Sequence, residues 1–358
     1  MNLEDIRQKI DGLDARIVEL LNERYKAVIE VGNWKKSRTA AIYVPEREKA
    51  VLDRLCSLNR GPMSNSTLRS IYREIMSGAL SLEYPLKVAY LGPEATFTHL
   101  AAMSKFGRSV GYLPESGTDK IFEDVAAGRV DYGCVPVENS TEGVVNHTLD
   151  MFLESDVKIC AEINMRVHHC LISNNPMPSV KKIYAHSQTL SQCRCWLQEN
   201  MRGVELLETS SNTRAAELAS REDGAAAIAA SLAAEVYGLN ILCANIEDNP
   251  NNTTRFLVIS RPDAVSKPTG SDKTSICFSI KDRVGALYDS LLPFKNENIT
   301  LTMIESRPSK KQNWEYFFFI DMLGHVTDEK LVRALDELGK ISNSMRILGS
   351  YPRANAAE

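Results

Sequence analysis

The chain has 358 residues, a net charge of −4, a charged fraction of 25% and a hydrophobic fraction of 44%. That length is too great for one ordinary domain and points to two or three, with the composition of globular protein and no basic field for nucleic acid. No apolar run approaches a membrane span, and the polar start MNLEDIRQK lacks the pattern of a secretory signal, so a cytoplasmic protein is expected.

Residues 1–85 read as all helical. In the first helix, expected from Leu3 to about Arg38, apolar residues recur at steps of three and four: Leu3, Ile6, Ile10, Leu13, Ile17, Leu20. Arg24 then stands where an apolar residue belongs, and the stripe resumes through Ala27, Val31 and Trp34. VPEREKAVLDRLCSLN gives a second helix starting at Pro45, and Ser66 is the expected cap of a third that ends before Pro85. From Leu86 short apolar runs (LKVAYLGP, DYGCVPV, KICAEINMRVHHCLIS, KKIYAH, GAAAIA, TRFLVIS) alternate with helical patterns, an α/β signature over 86–262. SRPDAVSKPTGSDK reads as a linker, and 274–351 follows the order βαββαβ, the ferredoxin-like plan.

The eight cysteines form no C-x-x-C pair and are expected as free thiols. His168-His169-Cys170 is poorly spaced for one ion, because neighbours on a strand face opposite ways; no metal is expected.

A first helix of that length spans roughly 50 Å, too long for two shorter helices to cover, so a second copy of the chain is expected against it. Arg7, Arg24 and Lys35 fall near one face, and in an antiparallel dimer Arg7 of one chain meets Arg24 and Lys35 of the other. Arg47 and Glu48 from the second helix and Glu83 from the third complete the set. Buried cations need an anion, and a small di-anion held by bidentate Arg contacts fits. Taken alone, Arg24 fits better as a snorkelling side chain paired with a nearby Glu; three cations on one stripe with P-E-R-E following favour a site.

These residues resemble the all-helical chorismate mutase domain. The resemblance implies that Arg7, Arg24 and Arg47 help bind chorismate, that Lys35 and Glu83 flank its ether oxygen, and that Glu48 takes a hydroxyl. The Claisen rearrangement then needs only a compact conformer and stabilised charge on the ether oxygen. A carboxyl donates to that oxygen only when protonated, so mutase activity should fall as pH rises. Val44 and Ala79 stand where the family often has Asp and Ser.

In 86–262, polar clusters close the strand-like runs: Thr96 and Thr98 in LGPEATFTHLAA; Glu138, Asn139, Ser140 and Thr141 in VPVENSTEGVVNHT; His186, Ser187 and Gln188 in AHSQTLSQC; Thr254 and Arg255 in NNTTRFLVIS. Each alone is also ordinary capping and turn chemistry. Together they resemble prephenate dehydratase, most specifically through Thr254-Arg255-Phe256 and Glu138-Asn139-Ser140. The resemblance implies two α/β lobes with prephenate between them, Thr254 assisting loss of hydroxide, and Arg255 orienting a carboxylate. Ala95 stands where the family usually has Gly, a strained choice if that turn needs positive φ.

The last segment resembles an ACT regulatory domain. By that resemblance Gly285, Ala286, Leu287 and Glu305, Ser306, Arg307, Pro308 bind L-phenylalanine between paired copies. The combined expectation is a bifunctional, cofactor-free enzyme converting chorismate to phenylpyruvate under feedback from L-phenylalanine, working as a homodimer or larger assembly. The alternatives are a dehydratase with a non-catalytic dimerising helical domain, and a two-lobed ligand-binding sensor.

Overall fold

The computed structural model describes residues 2–36, 45–262, 266–281, 283–308 and 316–354, apart from the side chains of Lys35 and Lys36. The chain divides into two compact units, one drawn mainly from residues up to Leu86 and one mainly from residues beyond it.

In the first unit a single helix runs Leu3–Lys36; its expected last turn at Arg38 lies outside the described residues. Asn2 and Asp5 close its start reciprocally, each backbone N–H donating to the other's side chain at 2.9 Å. The second helix is Pro45–Leu58, with proline at its first position as expected. The third is Asn65–Glu83, and its cap is Ser64 rather than Ser66: Ser64 Oγ accepts from Thr67 N at 3.1 Å.

The first helix packs tightly against the end of the third at Gly32. A Cβ there would stand 2.6 Å from Glu83 Cγ, so only glycine permits this approach. Leu21, Arg24, Tyr25, Val28 and Gly32 are the covered positions, and Tyr25 Oη donates to Ile75 O at 3.2 Å. Leu3, Ile6, Ile10, Leu13, Ile17 and Leu20 remain 43–64% exposed, as do Val31 and Trp34 at 49% and 54%. The reason is length: the 34-residue helix spans about 50 Å and the 19-residue third helix only about 28 Å.

The second unit holds three sheets. The first has strand order 111–115, 87–91, 132–139, 253–260, 158–166, with the two-residue strand 143–144 added to 132–139. The second has order 240–243, 170–173, 225–229, 182–186, 205–209. These are the two expected α/β lobes. KICAEINMRVHHCLIS, which reads as one strand, breaks at Val167–His169, where the chain crosses between them. It returns through residues 244–252, and the two crossings are tied by Val167 N to Asn252 O at 2.8 Å and Ile246 N to His169 O at 2.9 Å.

The third sheet, order 301–308, 316–323, 272–279, 344–352, is built in the chain order βαββαβ with helices Ala286–Asn296 and Glu329–Ile341. It shares one hydrophobic core with the first lobe: Phe319, Leu348 and Tyr351 pack with Ala89, Ile121, Phe152 and Ile259. Gly349 permits this, because a side chain there would collide with the backbone of Ile159.

Candidate active sites

Thr254 stands at the start of the Thr253–Ser260 strand, just past the return crossing. Asn139 Nδ2 donates to Thr254 Oγ1 at 2.8 Å and to Asn252 Oδ1 at 2.9 Å. Asn139 Oδ1 accepts the N–H groups of Thr141 at 2.9 Å and Glu142 at 3.0 Å. Both amide hydrogens and both acceptor positions are therefore used, which fixes the amide orientation. Thr254 pairs with Asn139 in register and Arg255 with Glu138, but Phe256 pairs with Pro136. Val137 is the extra residue of a bulge, a device that re-aims neighbouring side chains. With its acceptor side occupied by Asn139, the Thr254 hydroxyl keeps its own proton for a partner.

The same strand turn consumes Ser140, which donates its N–H to Thr253 O and accepts Thr253 N at Oγ, both at 2.9 Å. Glu138 is half-buried, and Thr141 is exposed. Thr96 is spent locally, donating to Leu91 O at 3.0 Å and accepting His99 N at 3.3 Å. Its neighbour Ala95 has φ 64, so this turn does adopt the left-handed backbone, at a cost of about 1 kcal/mol relative to glycine. The turn is held by His99, whose Nδ1 accepts Ala95 N at 3.2 Å while its ring stacks on Tyr90 at 4.3 Å. Burial lowers the His99 pKa against the opposing pull of Glu94, favouring the neutral ring that can accept this bond.

In the second lobe Ser187 and Gln188 are exposed at the start of the short helix Ser187–Gln192. Asn212 braces that turn, accepting His186 N at 3.0 Å and donating to Thr189 Oγ1 at 2.8 Å. His168 and His169 have separate partners: His168 Nδ1 lies 2.6 Å from Glu247, and His169 Nε2 2.9 Å from Gln192.

Arg255 corrects the sequence reading. It points to the other side of its strand from Thr254, into a buried cluster shared with the C-terminal sheet. Nε lies 2.9 Å from Glu162, Nη1 2.5 Å from Asp321, and Nη2 donates to Tyr351 Oη at 3.1 Å. Lys273 adds a second cation 2.7 Å from Glu162, and Ala354 N donates to the other Glu162 oxygen at 3.0 Å. Ser275 gives its proton to Asp321 at 2.5 Å, so Tyr351, 2.7 Å away, donates to Ser275. Two cations and two carboxylates balance in a site where no side chain is more than 10% exposed.

In the helical unit Arg24 is half-buried, and its Nη1 is fully buried without a hydrogen-bond partner among the described residues. Glu83 is 7% exposed and Ala79 is 4%. Arg7 is exposed and lies 3.7 Å from Glu4 on its own helix. Lys35 lies on the first helix with its side chain outside the described residues, as does Val44 entirely. Arg47 and Glu48 lie in Pro45–Ala50, which groups with the second unit; there Arg47 is exposed, and Glu48 is ion-paired with Lys105 at 2.9 Å.

In the C-terminal sheet Gly285 has φ 79 and opens the Ala286–Asn296 helix, with Ala286 buried and Leu287 exposed. Glu305 is half-buried; Ser306 and Pro308 are exposed. Arg307 is engaged with Asp150, through Nε and Nη2 at 3.0 Å each. Asn252, His99 and Asn212 are not singled out by the sequence. Asn252 and His99 stand inside the quoted NNTTRFLVIS and LGPEATFTHLAA stretches, and only the crossing and the stacked Tyr90 give them a role.

Residues 6–84 match the family model of chorismate mutase type II, and residues 88–264 that of prephenate dehydratase. One polypeptide thus carries an isomerase and a lyase. The chain is 48% identical to the bifunctional chorismate mutase/prephenate dehydratase of Aquifex aeolicus and 46% identical to that of Stutzerimonas stutzeri, each over 98% of both chains. The prephenate dehydratase of Arthrobacter aurescens, solved in complex with L-Phe, superposes with a TM-score of 0.70 at 36% identity, covering 76% of this chain and 92% of that one. The chain belongs to the family of bifunctional chorismate mutase/prephenate dehydratases.

Proposed function

We propose that Thr254 and Asn139 carry the dehydratase step, that Arg24 anchors chorismate in the mutase step, and that the C-terminal βαββαβ unit is an ACT domain answering to L-phenylalanine. The observation that supports this best is the Thr254 hydroxyl, oriented by a fully bonded Asn139 and left with a proton to donate. Prephenate loses CO₂ and its ring hydroxyl to give phenylpyruvate. As the C–C bond to the carboxylate breaks, its electron pair aromatises the ring and expels hydroxide. A hydrogen bond from Thr254 to the departing oxygen lowers the cost of that charge.

For the mutase, the buried unpartnered donor of Arg24 suits a substrate carboxylate. Glu83, buried beside Gly32, is assigned to the ether oxygen with Lys35, Glu48 to a substrate hydroxyl, and Arg47 to chorismate binding. The uncovered stripe of the first helix is assigned to a second copy, which brings its Arg7 to Arg24. The L-Phe in the Arthrobacter aurescens structure supports an effector site at Gly285–Leu287 and Glu305–Ser306. The enzyme then works in the cytoplasm on small acids alone.

Purified protein given chorismate should form phenylpyruvate, seen by its absorbance, and added L-phenylalanine should slow the second step. Prephenate accumulating with no phenylpyruvate would remove the dehydratase assignment. An unchanged rate with L-phenylalanine would remove the regulatory one.

A further inference from the structure

We infer that Arg255 is a positioning residue for the dehydration step, acting through Thr254, and that the C-terminal sheet supplies the groups that hold it. The inference rests on the role assigned to Thr254 above. Thr254 and Arg255 are consecutive on one strand, opposite the bulge at Val137 that aims Asn139. On the Arg255 side the strand is fixed by ion pairs to Glu162 and Asp321 and by the bond to Tyr351. Glu162 belongs to the neighbouring strand Lys158–Arg166, whereas Asp321, Tyr351 and Lys273 come from three different strands of the C-terminal sheet. The Arg255 side chain is only 10% exposed and Glu162 0%, so substrate has no access to this guanidinium. Its place beside the reactive hydroxyl instead sets the backbone from which Thr254 projects. A misplacement of about 1 Å in a reacting group costs about 10²-fold in rate, so the hydroxyl depends on this anchor.

The test is steady-state kinetics with prephenate on the full-length enzyme. Arg255→Gln should lower kcat at least 10-fold with KM within about threefold, and Asp321→Asn, which leaves the Glu162 pair in place, should do the same more weakly. A residue that held a substrate carboxylate would raise KM instead, and that result overturns the inference. A double-mutant cycle isolates the route. In a Thr254→Ala background, Arg255→Gln or Asp321→Asn should change kcat less than twofold, because the group they place is gone. Full additivity would overturn the inference while leaving Thr254 in its role. A Thr254→Ala enzyme with normal kcat would end both. If Arg255→Gln fails to fold, Asp321→Asn carries the same cycle alone.

Discussion

Asn139 meets the Thr254 hydroxyl at 2.8 Å as a donor, and the two turn N–H groups on its oxygen forbid the reverse orientation. The direction matters, because a hydroxyl that accepts from Asn139 has its proton free for a leaving group. Asn139→Asp keeps the shape but presents an acceptor, which draws that proton away. The expected result is a fall in kcat for prephenate of about 10²-fold, the scale of losing one transition-state hydrogen bond, with KM little changed. An Asn139→Asp enzyme with undiminished kcat would show that Thr254 does not donate.

Much of this was legible in the sequence because it is local. The 3.6-residue period of the first helix, proline at the start of the second, and the βαββαβ order at the C-terminus are short-range signals, as are the E-N-S and T-R-F stretches that meet at Asn139 and Thr254. What escaped depends on tertiary neighbours. The strands 111–115, 205–209 and 240–243 are sheet edges, where one side is unpaired and apolar residues are not required; GYLPE and ELLET show it. The direction of Arg255 depends on a bulge in one partner strand and on acids more than 60 residues away in Asp321 and more than 90 in Glu162. Serine at both 64 and 66 leaves the third helix's cap ambiguous in the sequence; the bond from Thr67 N to Ser64 Oγ decides it.

The exposed half of the first helix makes its own prediction. Leu13 and Ile17, 46% and 53% exposed, lie on a stripe that runs several turns with nothing among the described residues of its own chain covering it. Light scattering should find the enzyme at least dimeric, and Leu13→Glu with Ile17→Glu should dissociate the helical pair. Under the proposed arrangement chorismate turnover should then fall at least 10-fold, since each site would lose the other copy's Arg7. A monomeric wild type with full mutase activity would refute the arrangement.

Arg24 distinguishes a functional cation from a structural one. A buried guanidinium nitrogen without a partner costs stability, so Arg24→Met, which fills similar space without charge, should leave stability unchanged or raise it by about 1 kcal/mol. Chorismate turnover should fall at least 10²-fold while prephenate dehydration stays within twofold. Loss of both activities in step with a lowered melting temperature would assign Arg24 to the fold instead.

Glu162 predicts how the enzyme meets acid. Burial pushes its carboxyl upward, but Arg255 and then Lys273 outweigh that, leaving its pKa below the ordinary glutamate value. A lowered folded pKa means stabilisation fully present above the unfolded value of about 4.3 and lost as pH falls through the lower folded value. Glu162→Gln leaves Arg255 with Asp321 as its one carboxylate and removes the carboxylate that Lys273 faces, so at pH 7 it should cost about 3–5 kcal/mol. Urea unfolding followed from pH 7 to pH 3 should show that gap constant down to about pH 4 and narrowing below it, as the wild-type carboxylate takes up its proton. A gap that stays constant through pH 3 would mean that the charge of Glu162 contributes nothing to holding Arg255.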